Sequence, residues 1–366
     1  MTSPHGRVDI AIIGAGIAGA SLAAELAPHA RVLLIEAEDM PGYHSTGRSA
    51  AFWHETLGGP HVQPLTRASY DALDRGGFLK PRASLEVAEL DALPLLDKMA
   101  ADFAGTGVGL KRLDHDGVRH WVPRARPILV AGLLESTGAD IDVGGLHGSV
   151  QAAFRRAGGE LITSRRIDAI ERSGSDWVLR AGDWSVAAGI IVNAAGAWAD
   201  GVALMAGAHP IGIQPKRRTI VQVRVSTDDV PETLPLVVDI AGSYYFRPEG
   251  ANRLWLCPHD ETPVEPGDAA PEEIDVAIAI DRFETVTDWK VVAVERKWAG
   301  LRSFAPDRLP VFGFDPKTPG FFWFAGQGGI GIQTAPAAAL LGAALILGQA
   351  GPAGIDADRY TPARFG

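Results

Sequence analysis

Residues 9–51 read DIAIIGAGIAGASLAAELAPHARVLLIEAEDMPGYHSTGRSAA, and this stretch decides the fold. Ile10 to Ile13 is an apolar run that suits a buried parallel strand. Gly14, Gly16 and Gly19 follow at the spacing GxGxxG. The first glycine permits a tight turn, the second lets backbone approach a pyrophosphate, and the third lets a helix pack close to the strand. Ala20 to Leu26 is rich in helix formers, so a helix N-terminus with free N–H groups faces the phosphates. Arg31 to Ile35 reads as a second strand, and Glu36 at its end lies about 20 residues past the glycines, where a carboxylate meets ribose hydroxyls. Strand, glycines, helix, strand and acid in this order predict a Rossmann-like dinucleotide site, with Ala18 and Ala37 beside the glycines and the acid.

Six residues after Glu36 the chain enters Gly42-Tyr-His-Ser-Thr-Gly-Arg-Ser-Ala-Ala51. A simple nicotinamide-binding Rossmann domain continues from the acid into another helix and strand. A loop of small, hydroxyl and cationic residues suits a flavin instead. It offers Ser45, Thr46 and Ser49 as hydrogen-bond donors and Arg48 near a phosphate, with His44, Gly47, Ala50, Ala51 and Phe52 alongside.

With these residues in view, the sequence resembles the FAD-dependent D-amino acid oxidase superfamily, and within it the bacterial D-arginine dehydrogenase type of D-amino acid dehydrogenase. The matching pieces are IGAGIAGAS, PGYHSTGRSAA, TGADID, NAAGAW, QPKRR, WAGLRSF and GQGGIGIQT, in the family's order across most of the chain. The resemblance implies an α/β fold: a Rossmann-like, glutathione reductase-like FAD-binding domain interleaved with an antiparallel-sheet α+β substrate domain. The expected FAD-binding segments are 1–80, 140–212 and 296–366, and the substrate segments are 81–139 and 213–295. It also implies that Ile167 lies beside the adenine, and that Ala195, Gly196 and Trp198 pack against FAD. Gly328, Gly329, Ile330, Gly331, Ile332 and Gln333 form a second glycine loop. That loop feeds a helix from about Ala335 to Gly348 and faces the flavin pyrimidine, where N–H groups stabilise negative charge on reduced flavin.

Composition sets bounds. The chain has 366 residues, 46% hydrophobic and 21% charged, which suits two cored domains. Its formal net charge of −10 argues against nucleic acid as a partner. The single cysteine, Cys257, excludes an intrachain disulfide and a CxxC redox pair. It lies outside the flavin motifs, so FAD is expected to be non-covalent. No apolar window reaches the length of about 18 residues needed for a transmembrane helix, and the N-terminal apolar stretch reads as strand and helix rather than a signal peptide. The expected location is the cytoplasm, with peripheral contact at the inner membrane if electrons pass to a quinone pool. The acceptor is open among quinone, dye, protein and O2.

Elsewhere, helices are expected over Asp91–Phe103, Leu146–Ala157 and Glu272–Phe283, and helical spacing over Leu65–Leu73. Strands are expected over Ser84–Val87, Ile190–Gly196, Thr219–Val225, Tyr244–Arg247, Arg253–Cys257 and Phe321–Ala325, with a hairpin over Asp176–Leu179 and Trp184–Ala187. Thr137 to Asp142 reads as a loop.

An amino acid substrate carries a carboxylate, which needs a cation in fork geometry, and arginine supplies it better than lysine. Arg302 lies in the apolar run WAGLRSF, where an unpaired cation is costly to bury, and Arg218 ends QPKRR. By resemblance Arg218, Tyr245 and Arg302 clamp the carboxylate, and hydride passes from Cα to flavin N5. The resulting imino acid hydrolyses to a 2-oxo acid and ammonia. Phe52, Leu57 and Ser84 stand where the D-arginine enzyme has a histidine, a tyrosine and an acid. These departures remove polarity, which points to neutral or apolar D-amino acids, with His54 and Glu55 expected to be exposed loop residues. Two alternatives remain open here. One is oxidation of an N-methyl amino acid, glycine, L-proline or a 2-hydroxy acid. The other is a catalytically silent flavin-binding interaction protein.

Overall fold

The computed structural model describes residues 6–366, so residues 1–5 of the expected 1–80 segment lie outside the described residues. The run at Ile10–Ile13 is the buried end of a strand, Arg7–Ile13, as its apolar character predicts. It sits between Val32–Ile35 and Trp184–Asn193, parallel to both. Glu160–Ile162 extends this sheet beyond Val32–Ile35. On the other side, the first half of Trp184–Asn193 pairs with Asp176–Ala181, which pairs in turn with Ala169–Ser173, both antiparallel. The second half of Trp184–Asn193 pairs with Phe321–Ala325, which also pairs with Val311–Phe314. The expected hairpin strand at 184 and the expected buried strand at 190 are thus one ten-residue strand. The sheet has eight strands.

Helix Ile17–Leu26 packs on this sheet between helices Val143–Arg156 and Ala335–Leu347. The packing is close. A Cβ at Gly14, whose φ is +101°, would stand 2.4 Å from the Ala194 carbonyl oxygen, and one at Gly19 would stand 1.9 Å from the Gly14 carbonyl oxygen. Asp142 caps helix Val143–Arg156 by accepting from the Gly145 N–H. Gly348 ends helix Ala335–Leu347 in the left-handed region. Thr137 to Asp142 is not all loop, because Ala139–Ile141 pairs with Phe52–Trp53 and Leu79–Pro81 in a small third sheet.

The second large sheet has nine strands. At one end Gln214–Val225 pairs along its length with Val291–Phe304, antiparallel. From Gln214–Val225 the sheet continues through Arg253–Cys257, Tyr245–Pro248, Leu236–Asp239, Ser84–Ala88, Ala131–Glu135 and Leu110–Asp114. Strand residues alternate between faces. Leu85, Val87, Val221, Val223, Val237, Phe246, Leu254 and Leu256 form a core beneath helix Glu273–Val286. The other face carries Tyr245 and Arg218 toward the first sheet. The expected division at 295/296 falls inside the unbroken strand Val291–Phe304. Among the described residues no helix is long and apolar enough to cross a membrane.

Gly19→Ala is expected to push helix and strand apart. It should cost about 1–3 kcal/mol of stability or more, read as a lower denaturant midpoint together with reduced flavin content after purification.

Candidate active site

A cavity of about 480 Å³ lies between the first sheet, the Gly42–Ala51 loop and the open face of the second sheet. At one end Ile35, Glu36, Ala37, Glu38 and Ile167 line it, and at the other Arg218, Ile220, Tyr245 and Arg302 do. Of the sequence-predicted cofactor residues, the walls also include Gly14, Gly16, Ala18, His44, Ser45, Thr46, Arg48, Ser49, Ala50, Ala195, Gly196, Trp198, Gly328, Gly329, Gly331 and Ile332. Gly19, Gly47, Ala51, Phe52, Ile330 and Gln333 do not line it. Gln333 is buried elsewhere, donating to the Thr66 hydroxyl (2.9 Å) and accepting from the His54 N–H (3.4 Å). Phe52, Leu57 and Ser84, expected around the substrate side chain, are also absent from these walls.

The glycine turn is braced from within. The Glu36 carboxylate accepts from the Ala15 N–H (2.8 Å) and the Glu38 N–H (3.0 Å), which fixes the end of the second strand against the turn. A carboxylate has about four acceptor positions, so Glu36 keeps capacity for a ligand hydroxyl. Of the polar residues expected at the cofactor, Ser45 and Arg48 already spend their donors within the protein, whereas Thr46 keeps its hydroxyl proton. The Ser45 hydroxyl donates to the Leu301 carbonyl (2.8 Å), and the Thr46 hydroxyl accepts from the Ile17 N–H (3.0 Å) at the helix mouth. Arg48, expected near a phosphate, spends its nitrogens on the Tyr43, Ala269 and Ala299 carbonyls and on Asp268. It is a staple between loops, and carbonyls more than 200 residues away leave no mark in the local motif.

Sequence reasoning passed over Glu38 and Arg166. Glu38 accepts from His44 Nε2 (2.9 Å) and pairs with Arg166 (3.1 Å), whose guanidinium lies over the Trp198 ring. His44 packs between Tyr43 and Trp198. That arrangement leaves His44 Nδ1 buried without a partner on the cavity wall, and Ser303 Oγ is in the same condition. Unpaired buried polar atoms are uncommon and call for a ligand or water. Together with the glycine-lined turn and the acid at the second strand's end, they fit a bound dinucleotide.

At the other end, cross-strand pairing of Lys216 with Arg302 and of Arg218 with Gly300 brings the two predicted arginines together. Arg218 is only 4% exposed. It donates to the Asp260 carbonyl (2.9 Å) and to Glu261 (3.2 Å), and one terminal nitrogen is buried with no partner. Arg302 is half-buried on the cavity wall, with its guanidinium against Gly329 and no ion pair among the described residues. Burial first, and then the Arg218 cation, hold the Arg302 pKa below its usual value. Glu261 is the nearby counter-charge. Burial works against its ionisation, but bonds from Arg308 and Lys216 and the Arg218 charge hold it at about 2. The Tyr245 hydroxyl is buried without a hydrogen-bond partner, beside the Cys257 thiol of the next strand. Burial raises the Tyr245 pKa, so the phenol remains a donor. His259 packs edge-on against Tyr245, and burial and the two arginines lower its pKa to about 4, so it is neutral near pH 7.

His54 and Glu55 are not exposed. They are 4% and 6% exposed, His54 bonding Thr56 and Glu55 bonding Gln63 and Arg67. Their polar character misled the sequence reading, because the Glu55 partners come from the following helix, Gln63–Arg75.

The model of the family described as FAD dependent oxidoreductase matches residues 9–345. The FAD-dependent oxidoreductase domain-containing protein 1 of Xenopus laevis is 27% identical over 179 residues, covering 44% of this chain and 36% of that protein. The chain spans about a third of the length of the first curated relatives it matches. Glycine oxidase from Geobacillus kaustophilus superposes with a TM-score of 0.84 at 24% identity, covering 98% of this chain and 99% of that one. L-proline dehydrogenase from P. horikoshii gives 0.85 at 20% identity, covering 100% and 98%. The architecture is the α/β FAD-binding fold that the motifs implied.

Glu36→Ala is expected to strand the Ala15 and Glu38 N–H groups at a cost of about 1–3 kcal/mol and to loosen the cofactor. The flavin-to-protein absorbance ratio after dialysis should fall relative to wild type.

Proposed function

Because the chain belongs to the FAD dependent oxidoreductase family, we propose that it oxidises the Cα–N bond of a free D-amino acid, giving an imino acid that water converts to a 2-oxo acid and ammonia. The observation that carries this reading is the convergence of Arg218, Arg302 and Tyr245 on the cavity that the dinucleotide motifs line. Among the described residues they hold an unpartnered guanidinium nitrogen, a cation without an ion pair and an unpartnered phenol.

A planar carboxylate satisfies all three, as a bidentate acceptor for arginine with the phenol as a further donor. When bound, FAD supplies the electron sink that accepts hydride from the substrate Cα. The protein's own contribution is position and field. Arg218 and Arg302 fix the carboxylate, so Cα is held at one place in the cavity. The same two cations disfavour an ammonium beside them and so lower the substrate amine's pKa toward the neutral form that the oxidation requires. His259 is neutral and adds no charge to that field.

The D-configuration rests on the likeness of PGYHSTGRSAA and GQGGIGIQT to the D-amino acid dehydrogenase branch. A second reading is oxidation of glycine or of a cyclic or N-substituted amino acid. It is favoured by the likeness in fold to proteins named glycine oxidase and L-proline dehydrogenase. The same clamp serves either substrate.

Anaerobic addition of D-amino acids to the purified holoprotein is expected to bleach the oxidised flavin band, with L-enantiomers leaving it unchanged. Bleaching by glycine or proline alone would select the second reading. Arg302→Met should weaken binding of a simple carboxylate such as benzoate by about 10- to 150-fold, read from the flavin spectral shift.

A further inference from the structure

The backbone of the glycine turn can be followed one peptide at a time. The Gly14 N–H donates to the Ile35 carbonyl (2.8 Å), the Ala15 N–H to Glu36 (2.8 Å) and the Ile17 N–H to the Thr46 hydroxyl oxygen (3.0 Å). Gly16 lies between them on the cavity wall, and no described residue accepts from its N–H. One more side chain holds the turn, and it is not on that wall. His147 Nε2 stands 2.9 Å from the Ala15 carbonyl oxygen in a buried contact. A carbonyl only accepts, so Nε2 carries the proton and donates.

The ring is built into its place. His147 lies on Val143–Arg156, the helix that Asp142 caps at the end of TGADID. No residue of TGADID lines the cavity, and this helix is how the motif reaches the cofactor turn. The ring is 8% exposed and fills a slot that only a glycine at position 42 leaves open. A Cβ at Gly42, whose φ is +84°, would stand 2.9 Å from His147 Cε1. Gln151, one helical turn on, brings its amide 3.4 Å from Nδ1. Burial lowers the His147 pKa by more than the Ala15 bond and the Glu36 charge raise it, so the ring is neutral near pH 7.

We propose that His147 is a positioning residue for the cofactor, which aims the Gly16 N–H at the FAD diphosphate by holding the Ala15 carbonyl. The two groups belong to one planar trans peptide, in which carbonyl and N–H point in opposite directions. Drawing the carbonyl to a ring outside the cavity turns the Gly16 N–H toward the cavity. Glu36 fixes the preceding peptide and Thr46 the following one. Neither fixes the peptide between them, and glycine at position 16 offers little steric resistance to its rotation. His147 supplies that missing constraint. An N–H held in place before binding costs the complex no ordering when the diphosphate arrives.

The test is release of FAD from the holoenzyme on serial dilution, followed by the rise in flavin fluorescence. His147→Asn keeps a polar side chain, but its amide stops short of Ala15. It is expected to weaken FAD binding about 10- to 100-fold. His147→Phe keeps a ring without the donor and should behave in the same way, so the test stands if one of the two does not fold. His147→Gln places an amide nitrogen near the position of Nε2 and should stay within about threefold of wild type. At saturating FAD, the visible circular dichroism of the flavin should match wild type in every variant, because the ring acts at the diphosphate and not at the isoalloxazine. Wild-type FAD affinity in His147→Asn and His147→Phe would overturn the proposal. So would equal loss in His147→Gln, which would make shape rather than the donor decisive. An altered flavin dichroism at saturation would overturn it as well, by showing damage beyond the turn. None of these results depends on which substrate the other end of the cavity takes.

Discussion

Two guanidinium groups on one poorly solvated wall repel each other and lose hydration, and the architecture around Arg218 and Arg302 is arranged to hold them there. Their strands are antiparallel neighbours, with Arg218 opposite Gly300 and Arg302 opposite Lys216. Hydrogen-bond register therefore fixes the spacing between the two cations, and side-chain flexibility has little say. The shared counter-ion, Glu261, is divided among Arg218, Lys216 and Arg308. The local balance is left short of negative charge. A site in that condition favours an anion from outside, and the unpaired nitrogen of Arg218 gives the anion a direction.

The opposite imbalance occurs a few strands away. Glu86, Glu135 and Asp239 gather on adjoining strands, with no ion pair to any of them among the described residues. One sheet thus carries a cationic end and an acidic end on or beside the same open face. The formal net charge of −10 says nothing about this division, because the sign of a site is set by sheet register and not by composition.

What could be read from the chain follows from how local each feature is. The turn at Gly14–Gly19, its flanking strands and Glu36 are set within 30 residues, and each was legible because one backbone path satisfies them all. Arg302 was legible because an arginine in an apolar run demands a reason. Features closed by distant partners were hidden. Arg48 reads as a phosphate ligand until Ala269, Ala299 and Asp268 arrive to occupy it. Ser45 reads as a flavin donor until the Leu301 carbonyl takes its proton. His147 carried no signal at all, since its ring meets the Ala15 carbonyl only through the packing of a helix 132 residues further along the chain.

The strand Val291–Phe304 shows why cofactor and substrate ends are not separable parts. Its first half is a charged, solvent-exposed edge. Its second half turns buried at Ala299 and is gripped from both sides. The Gly42–Ala51 loop holds it through the Ser45 hydroxyl on the Leu301 carbonyl, the His44 carbonyl on the Leu301 N–H and Arg48 on the Ala299 carbonyl. Arg302 is the next residue after Leu301, so the Gly42–Ala51 loop sets the position of the Arg302 cation through one peptide unit. Any anion drawn to Arg302 is held against the same strand, and the sequence joins WAGLRSF to PGYHSTGRSAA through these bonds although about 250 residues separate them.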